Sequence, residues 1–261
     1  KGWAAGPAAA DYQTGVANES NASLLGPGWR EFKTWLGDAS EGKAWGPSPG
    51  RPKLAIMLTG LLDRLLLPEL LRNVVAASGL QGYDVDIFAS FVVDESKSNE
   101  SHNYGYLSKF VGEPMFKGMG PSNITQAFKR DVERVGGRVA RIDVFTQEED
   151  IDPLPEKDSP IFKSRRSRFS EYSPYFTTVG KNVLRRYKTL NGLRQSVEAE
   201  AKTMGKNYTW VLEIREDLLW IAPLNLTAFA ASRAPQLYAV DCLLYGGLND
   251  KALVYNQEAA S

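Results

Sequence analysis

Cysteine and histidine are nearly absent from this chain of 261 residues, which contains one of each, Cys242 and His102. A single cysteine excludes an internal disulfide framework and a multi-cysteine metal site. A single histidine excludes a histidine-rich metal site and gives little support to a histidine-based catalytic triad. Its neighbours are Ser, Asn and Gly, which are typical of a surface loop.

The chain also lacks an excess of charge of either sign and a long hydrophobic run. Its 31 Lys and Arg residues balance 31 Asp and Glu residues, so charge gives no argument for binding nucleic acid or an acidic membrane surface. The most apolar stretch, residues 61–71, contains charged side chains and is shorter than the roughly 20 apolar residues that span a bilayer. We therefore expect no nucleic-acid partner and no membrane span within this chain.

Strand-like and helix-like segments alternate from residue 53 onward. Such alternation predicts an α/β fold, with a mostly parallel sheet flanked by helices. The sequence contains neither GxGxxG nor a Walker lysine, which disfavours a dinucleotide-binding turn and a P-loop. Strands are predicted at residues 53–60, 84–93, 138–145, 208–214, 237–245 and 253–255, and helices at 65–79, 124–135 and 183–204.

Arg215, Glu216 and Asp217 follow the apolar run of the fourth predicted strand directly. In open α/β sheets a ligand lies outside the carboxyl ends of the strands, so a charged triplet there marks a possible site. A solvated charged turn is an equally simple interpretation. A basic cluster, residues 163–168, includes Arg165 and Arg166. It is either a solvated loop or a site that captures an anion such as phosphate.

Residues 1–52 show no sustained periodicity and are rich in Ala, Gly, Pro, Ser and Asn. We interpret them as an extended arm ahead of one α/β domain, residues 53–261. The arm contains four tryptophans, Trp3, Trp29, Trp35 and Trp45. Tryptophan is rare in solvated linkers, so the arm is expected to contact the domain or a protein partner.

Several Asn-x-Ser/Thr patterns favour the lumen of the secretory pathway (Golgi or endoplasmic reticulum) or the extracellular space, with another organelle lumen as the alternative. The sequence opens at Lys1, which indicates a processed chain or a trimmed piece, so a signal or anchor segment would precede it. The acceptor asparagines are Asn18, Asn21, Asn99, Asn123, Asn207 and Asn225.

Two motifs carry a resemblance to a known family over roughly residues 54–260. The first is the strand that ends in Arg-Glu-Asp at residues 215–217, and the second is Gly-Gly-Leu-Asn-Asp-Lys at residues 246–251. In this order, after a strand-helix-strand unit, they resemble a GT-A-type glycosyltransferase-like domain of the kind common in algae and fungi. There the first segment takes the place of an Asp-x-Asp motif, and the second faces the sugar.

The resemblance implies transfer of a sugar from a nucleotide-sugar donor to a glycan or protein acceptor. Asp217 would contact the nucleotide-sugar or a divalent cation (Mn or Mg). Asp250 would be the catalytic base, beside Asn249. The substrate-binding residues would be Gly60, Arg64, Arg165, Arg166, Arg215, Gly246 and Gly247. The motif reads Arg-Glu-Asp and not Asp-x-Asp, which leaves the need for a metal open.

Three functional interpretations follow from the sequence. The first is a sugar transferase of the secretory pathway. The second is a non-catalytic relative that serves as a structural or interaction subunit and docks through its arm. The third is another nucleotide- or phosphate-binding α/β enzyme that uses the basic cluster.

Overall fold

A six-stranded sheet is the centre of the fold in the computed structural model. The strands lie in the order β3-β2-β1-β4-β6-β5, in which β1 to β4 are parallel and β6 is antiparallel to both of its neighbours. The structure describes residues 50–93, 116, 118–146, 178–229, 234–239 and 251–257. The strands are β1 (Lys53–Leu61), β2 (Asp84–Val93), β3 (Gly137–Thr146), β4 (Trp210–Arg215), β5 (Leu237–Ala239) and β6 (Ala252–Tyr255).

Helices connect the parallel strands. A 3-10 turn (Leu62–Arg64) follows β1 and leads into α1 (Leu67–Leu70), a π-helical stretch (Leu71–Ala76) and α2 (Ala77–Leu80). Helix α3 (Pro121–Arg134) precedes β3, helix α4 (Thr178–Met204) precedes β4, and a second 3-10 turn (Leu226–Ala228) follows β4. In the described ranges, every helix is too short or too polar to cross a bilayer.

The sheet is covered on both faces because its side chains alternate. In β1, Leu54, Ile56 and Leu58 pack into a core with residues of α1, the π-helical stretch and α3. The intervening Ala55 and Met57 pack against Leu193, Val197 and other residues of α4. Successive residues of a strand point to opposite faces, so β1 supplies both cores of a three-layer arrangement.

The predicted mostly parallel α/β sheet is confirmed, and each described strand and helix coincides with a predicted segment within a few residues. The helix after β1 has an unpredicted π-helical middle. The end of the predicted strand at residues 237–245, nearly all of the arm at 1–52 and the basic cluster at 163–168 lie outside the described residues.

Candidate functional site

The order in which successive strands are added to the sheet changes direction between β1 and β4. Strands β2 and β3 add to one side of β1, and the chain then passes along α4 and places β4 on the other side. In doubly wound sheets the crevice at such a switch point, outside the carboxyl ends of the strands, is where ligands bind. Here the switch point lies beyond Gly60, the second-last residue of β1, and Arg215, the last residue of β4, which pairs with Thr59 in the parallel register.

Backbone hydrogen bonds hold the Arg-Glu-Asp triplet at this switch point. The Arg215 N–H donates to the Lys251 carbonyl over 3.0 Å, and the Glu216 N–H donates to the Thr59 carbonyl over 3.2 Å. The Glu216 carbonyl accepts from the Leu66 N–H over 3.2 Å. These three hydrogen bonds connect the backbone of the triplet to β1, to the segment after β1 and to the residue before β6. They hold the triplet in a defined position at the end of β4.

Four charged side chains meet at this point. Arg64 donates a hydrogen bond to the Glu216 carboxylate, and its Nη1 lies 3.7 Å from Oδ2 of Asp217. Arg215 donates to the same oxygen, with Nη2 at 2.9 Å. We call this group the switch-point cluster: Arg64, Arg215, Glu216 and Asp217. Its formal charges sum to zero.

Both carboxylates of the cluster are almost completely removed from solvent. The side chains of Glu216 and Asp217 are 1% and 2% exposed, respectively. Burial raises the pKa of Glu216 above its ordinary range, while the nearby charge of Arg64 opposes this shift and that of Asp217 adds to it. Oδ1 of Asp217 has no hydrogen-bond partner within the described part of the chain.

Gly60 is the position that makes room for this arrangement. Its φ is +147°, a conformation that residues with a side chain rarely adopt, and a Cβ there would overlap the Glu216 carboxylate. The glycine is therefore required both by its backbone conformation and by the carboxylate packed against it.

The structure brings together four of the residues predicted for the site, Gly60, Arg64, Arg215 and Asp217. Lys251, which precedes β6, lies beside Arg215 at the same edge. The remaining predicted residues lie outside the described residues, and their roles stay predictions: Arg165, Arg166, Gly246, Gly247, Asn249 and Asp250.

Sequence reasoning did not select Glu216 as a site residue, although it makes the closest contact with Arg64. Its place in the charged triplet was a signal, but its partner is 152 residues away. Nothing in the local sequence shows that β1 and β4 are neighbours, so the pair becomes visible only with the sheet order.

A metal site is not assembled by the described residues. Among them, no group of three or more His, Cys, Asp or Glu side chains is close enough to share an ion. Asp217, the predicted metal ligand, contacts two arginines instead. Any cation held by Asp217 would need further ligands from outside the described ranges.

A shallow depression of about 600 Å³ lies elsewhere on the sheet edge, between the start of α3 and the end of β3. Its one charged lining residue, Asp143, pairs with Arg141 at 2.7 Å. It is two strands away from β1, so we take the switch-point cluster, where charges from distant segments converge, as the candidate site.

A second charged cluster lies at the opposite, amino-terminal edge of the sheet. Asp86 accepts a bidentate pair of hydrogen bonds from Arg138, at 2.7 and 2.8 Å, and one from the Tyr208 hydroxyl at 2.7 Å. Lys53 lies 3.3 Å from the same carboxylate, and Glu200 of α4 accepts from Arg138 at 2.6 Å. Every group here is paired, and the cluster joins β1, β2, β3 and α4.

Comparison of the chain with models of protein families, with curated proteins and with solved structures finds no significant match.

Proposed function

We propose that this chain is a glycosyltransferase-like protein of a secretory-pathway lumen, which binds a nucleotide-sugar at the switch-point cluster and transfers the sugar to a glycan or protein acceptor. One observation carries the proposal: Gly60 and Arg64, at the end of β1, meet Arg215 and Asp217, at the end of β4, where the sheet reverses its growth. This convergence is what a ligand site in a doubly wound sheet requires.

The chemistry of sugar transfer suits this cluster. Departure of a nucleoside diphosphate leaves negative charge that must be neutralised, and guanidinium groups match phosphate oxygens in geometry and charge. The acceptor hydroxyl must also lose a proton, for which a carboxylate is suited. The Arg215 N–H donates to the Lys251 carbonyl over 3.0 Å. Asp250, the residue before Lys251 in the sequence, is the proposed base and lies outside the described residues.

A non-catalytic, structural or interaction subunit is the second candidate. The observation in its favour is the burial of Glu216 and Asp217 against arginines, because buried charges that are paired in this way are needed for the fold itself: removing one partner is strongly destabilising. In that case the crevice would be retained without transferase activity.

Calorimetric titration with a panel of nucleoside-diphosphate sugars, followed by assays of donor hydrolysis and transfer, tests the proposal. We expect one donor to bind wild type, and Asp250→Asn to retain binding but lose turnover. Asp143→Asn, a carboxylate change at the same sheet edge but two strands away, is the matched control and should preserve both. Donor binding without turnover in wild type would favour the non-catalytic subunit. Absence of binding by any donor to the folded full chain would overturn the proposal.

A further inference from the structure

Under the proposed function, the two carboxylates of the switch-point cluster take the place of an Asp-x-Asp motif that would hold a divalent cation, but guanidinium groups already contact both of them. Arg64 hydrogen-bonds Glu216 and lies 3.7 Å from Asp217. Arg215 lies 2.9 Å from Asp217. A cation that approached Asp217 would meet two guanidinium groups within ion-pair distance, and one that approached Glu216 would meet that of Arg64; like charges at that range oppose its binding.

The surroundings of the carboxylates also differ from what a divalent cation needs. Magnesium takes an octahedral set of oxygens, usually with several waters, and calcium takes six to eight oxygens. Here Oδ1 of Asp217 is a buried carboxylate oxygen with no hydrogen-bond partner in the described ranges, and the side chain is 2% exposed. Within the described ranges, one buried oxygen gives neither the ligand count nor the access to water that such ions require.

Resting on the proposed function, we infer that the site works with guanidinium groups in place of a divalent cation, and that Glu216 is a positioning residue that holds Arg64 in the crevice. All three residues of the Arg-Glu-Asp motif then share the role that the Asp-x-Asp motif and its cation have in the family. The two carboxylates of Arg-Glu-Asp orient arginines, and the arginines carry the positive charge that faces the diphosphate. Gly60 belongs to the same unit, because only a residue without a side chain leaves room for the Glu216 carboxylate.

The first test uses Mn²⁺ alone, so that it does not depend on the proposed function. The full chain, wild type and Asp217→Asn, is titrated with MnCl₂ and followed by calorimetry and by the paramagnetic resonance signal of free Mn²⁺. We expect the two proteins to give the same titration. A Mn²⁺ site that is present in wild type and lost in Asp217→Asn would overturn the inference.

The second test repeats the nucleotide-sugar panel with EDTA and with Mn²⁺. We expect equal affinity in the two conditions. A donor that binds only with Mn²⁺ would overturn the inference while leaving the proposed function standing. If no donor binds in either condition, the proposed function fails, and the inference is then decided by the titration with Mn²⁺ alone.

The positioning role of Glu216 is tested with inorganic pyrophosphate as the probe. Glu216→Ala should weaken pyrophosphate binding by about 10-fold or more, because a hydrogen bond to a charged group is lost from Arg64. Glu216→Gln keeps an acceptor in place and should restore most of the affinity. Asp143→Ala is the control and should bind as wild type does. If Glu216→Ala is folded by circular dichroism and binds pyrophosphate as tightly as wild type, Glu216 has no positioning role.

Discussion

At the scale of single residues, Gly60 and Glu216 show how one missing side chain accommodates a buried charge. The pair joins segments that are far apart in sequence, and the carboxylate occupies the space that a Cβ at Gly60 would need. Gly60, Arg64, Arg215 and Asp217 were chosen because the resemblance implies them, and the predicted strand ends supported three of them: Gly60 ends the first strand, and Arg215 and Asp217 follow the fourth. The contact of Glu216 could not be predicted, since it depends on which strands are neighbours.

Gly60→Ala should reduce the free energy of unfolding by about 1–3 kcal/mol, because alanine is strained at φ +147° and its Cβ collides with the Glu216 carboxylate. Urea denaturation measures the loss. Gly79→Ala is the matched control, since the added Cβ there has no atom within 4 Å other than those of its chain neighbours and its own helix backbone. In Gly60→Ala/Glu216→Ala the two effects should be less than additive, because the collision is removed. Equal stability of Gly60→Ala and Gly79→Ala would contradict this account.

Tyr208 offers a second test at this scale, at the opposite edge of the sheet. Its hydroxyl donates to the buried Asp86 carboxylate at 2.7 Å, so Tyr208→Phe should lower the free energy of unfolding by about 1.5–3 kcal/mol. Tyr187→Phe, on the exposed face of α4, should change it by less than about 0.5 kcal/mol. If the two variants unfold at the same urea concentration, the Tyr208 hydroxyl contributes nothing to stability.

At the scale of elements, the cluster around Asp86 joins three strands and α4, and its stability should depend on pH. Burial raises the pKa of Asp86, but hydrogen bonds from Arg138 and Tyr208, with the charges of Arg138 and Lys53, outweigh it and leave the pKa below its usual 3.8. The unfolded chain then takes up the proton first as the pH falls. The contribution of this carboxylate is therefore complete above the unfolded pKa and is lost as the pH falls towards the lower folded pKa.

Asp86→Asn removes that titration, so the stability of the variant should decline less than that of wild type between about pH 5 and pH 2. Urea denaturation at each pH measures the two declines. Asp143→Asn, which changes a half-exposed carboxylate on β3, serves as the control and should follow wild type. Parallel declines in wild type and Asp86→Asn would exclude Asp86 as the source of the pH dependence.

Helix α4 covers one face of the sheet by a narrow apolar stripe. The buried residues of this stripe, within the described range, recur at three- and four-residue spacing. The helix and its buried face were therefore predictable from the sequence. The same spacing does not show which strands the helix covers. The stripe contains Leu190, Leu193, Val197 and Ala201.

Leu193→Ala should lower the free energy of unfolding by about 2–5 kcal/mol, because the side chain is fully buried and its removal leaves a cavity. Gln195→Ala, two residues further along on the exposed side, should be nearly neutral. Guanidinium denaturation of the two variants compares them directly. A small loss for Leu193→Ala would mean that α4 is only loosely packed on the sheet.

At the scale of the whole molecule, local patterns predicted the strands and helices but not their neighbours. The apolar runs of β1, β2 and β4 show that each is buried on both faces, whereas the order β3-β2-β1-β4-β6-β5 is decided by packing between distant segments. The charged triplet after β4 was therefore predictable as the end of a strand. Its position beside Gly60 could not be predicted without knowing that β4 is the neighbour of β1 in the sheet.

The proposed lumenal location gives a prediction for the molecule as a whole. Asn123, Asn207 and Asn225 are all exposed, so expression through a eukaryotic secretory pathway should produce a chain whose mass falls on enzymatic removal of N-glycans. Asn207→Gln should remove one glycan, whereas Asn191→Gln, an exposed asparagine outside any acceptor pattern, should leave the mass shift unchanged. An unaltered mass after enzyme treatment of the secreted wild type would contradict the lumenal assignment.

The position of β1 between β2 and β4 also affects how the protein is made. The contact between Arg64 and Glu216 closes a separation of 152 residues, so β4 leaves the ribosome roughly 8 to 30 s after β1 at ordinary elongation rates. During that interval one edge of β1 has no partner strand, and the apolar side chains of β1 that later pack against α4 and β4 remain exposed to solvent. A nascent chain with such an open edge is a natural client for a chaperone, and slowing its synthesis should increase its tendency to aggregate.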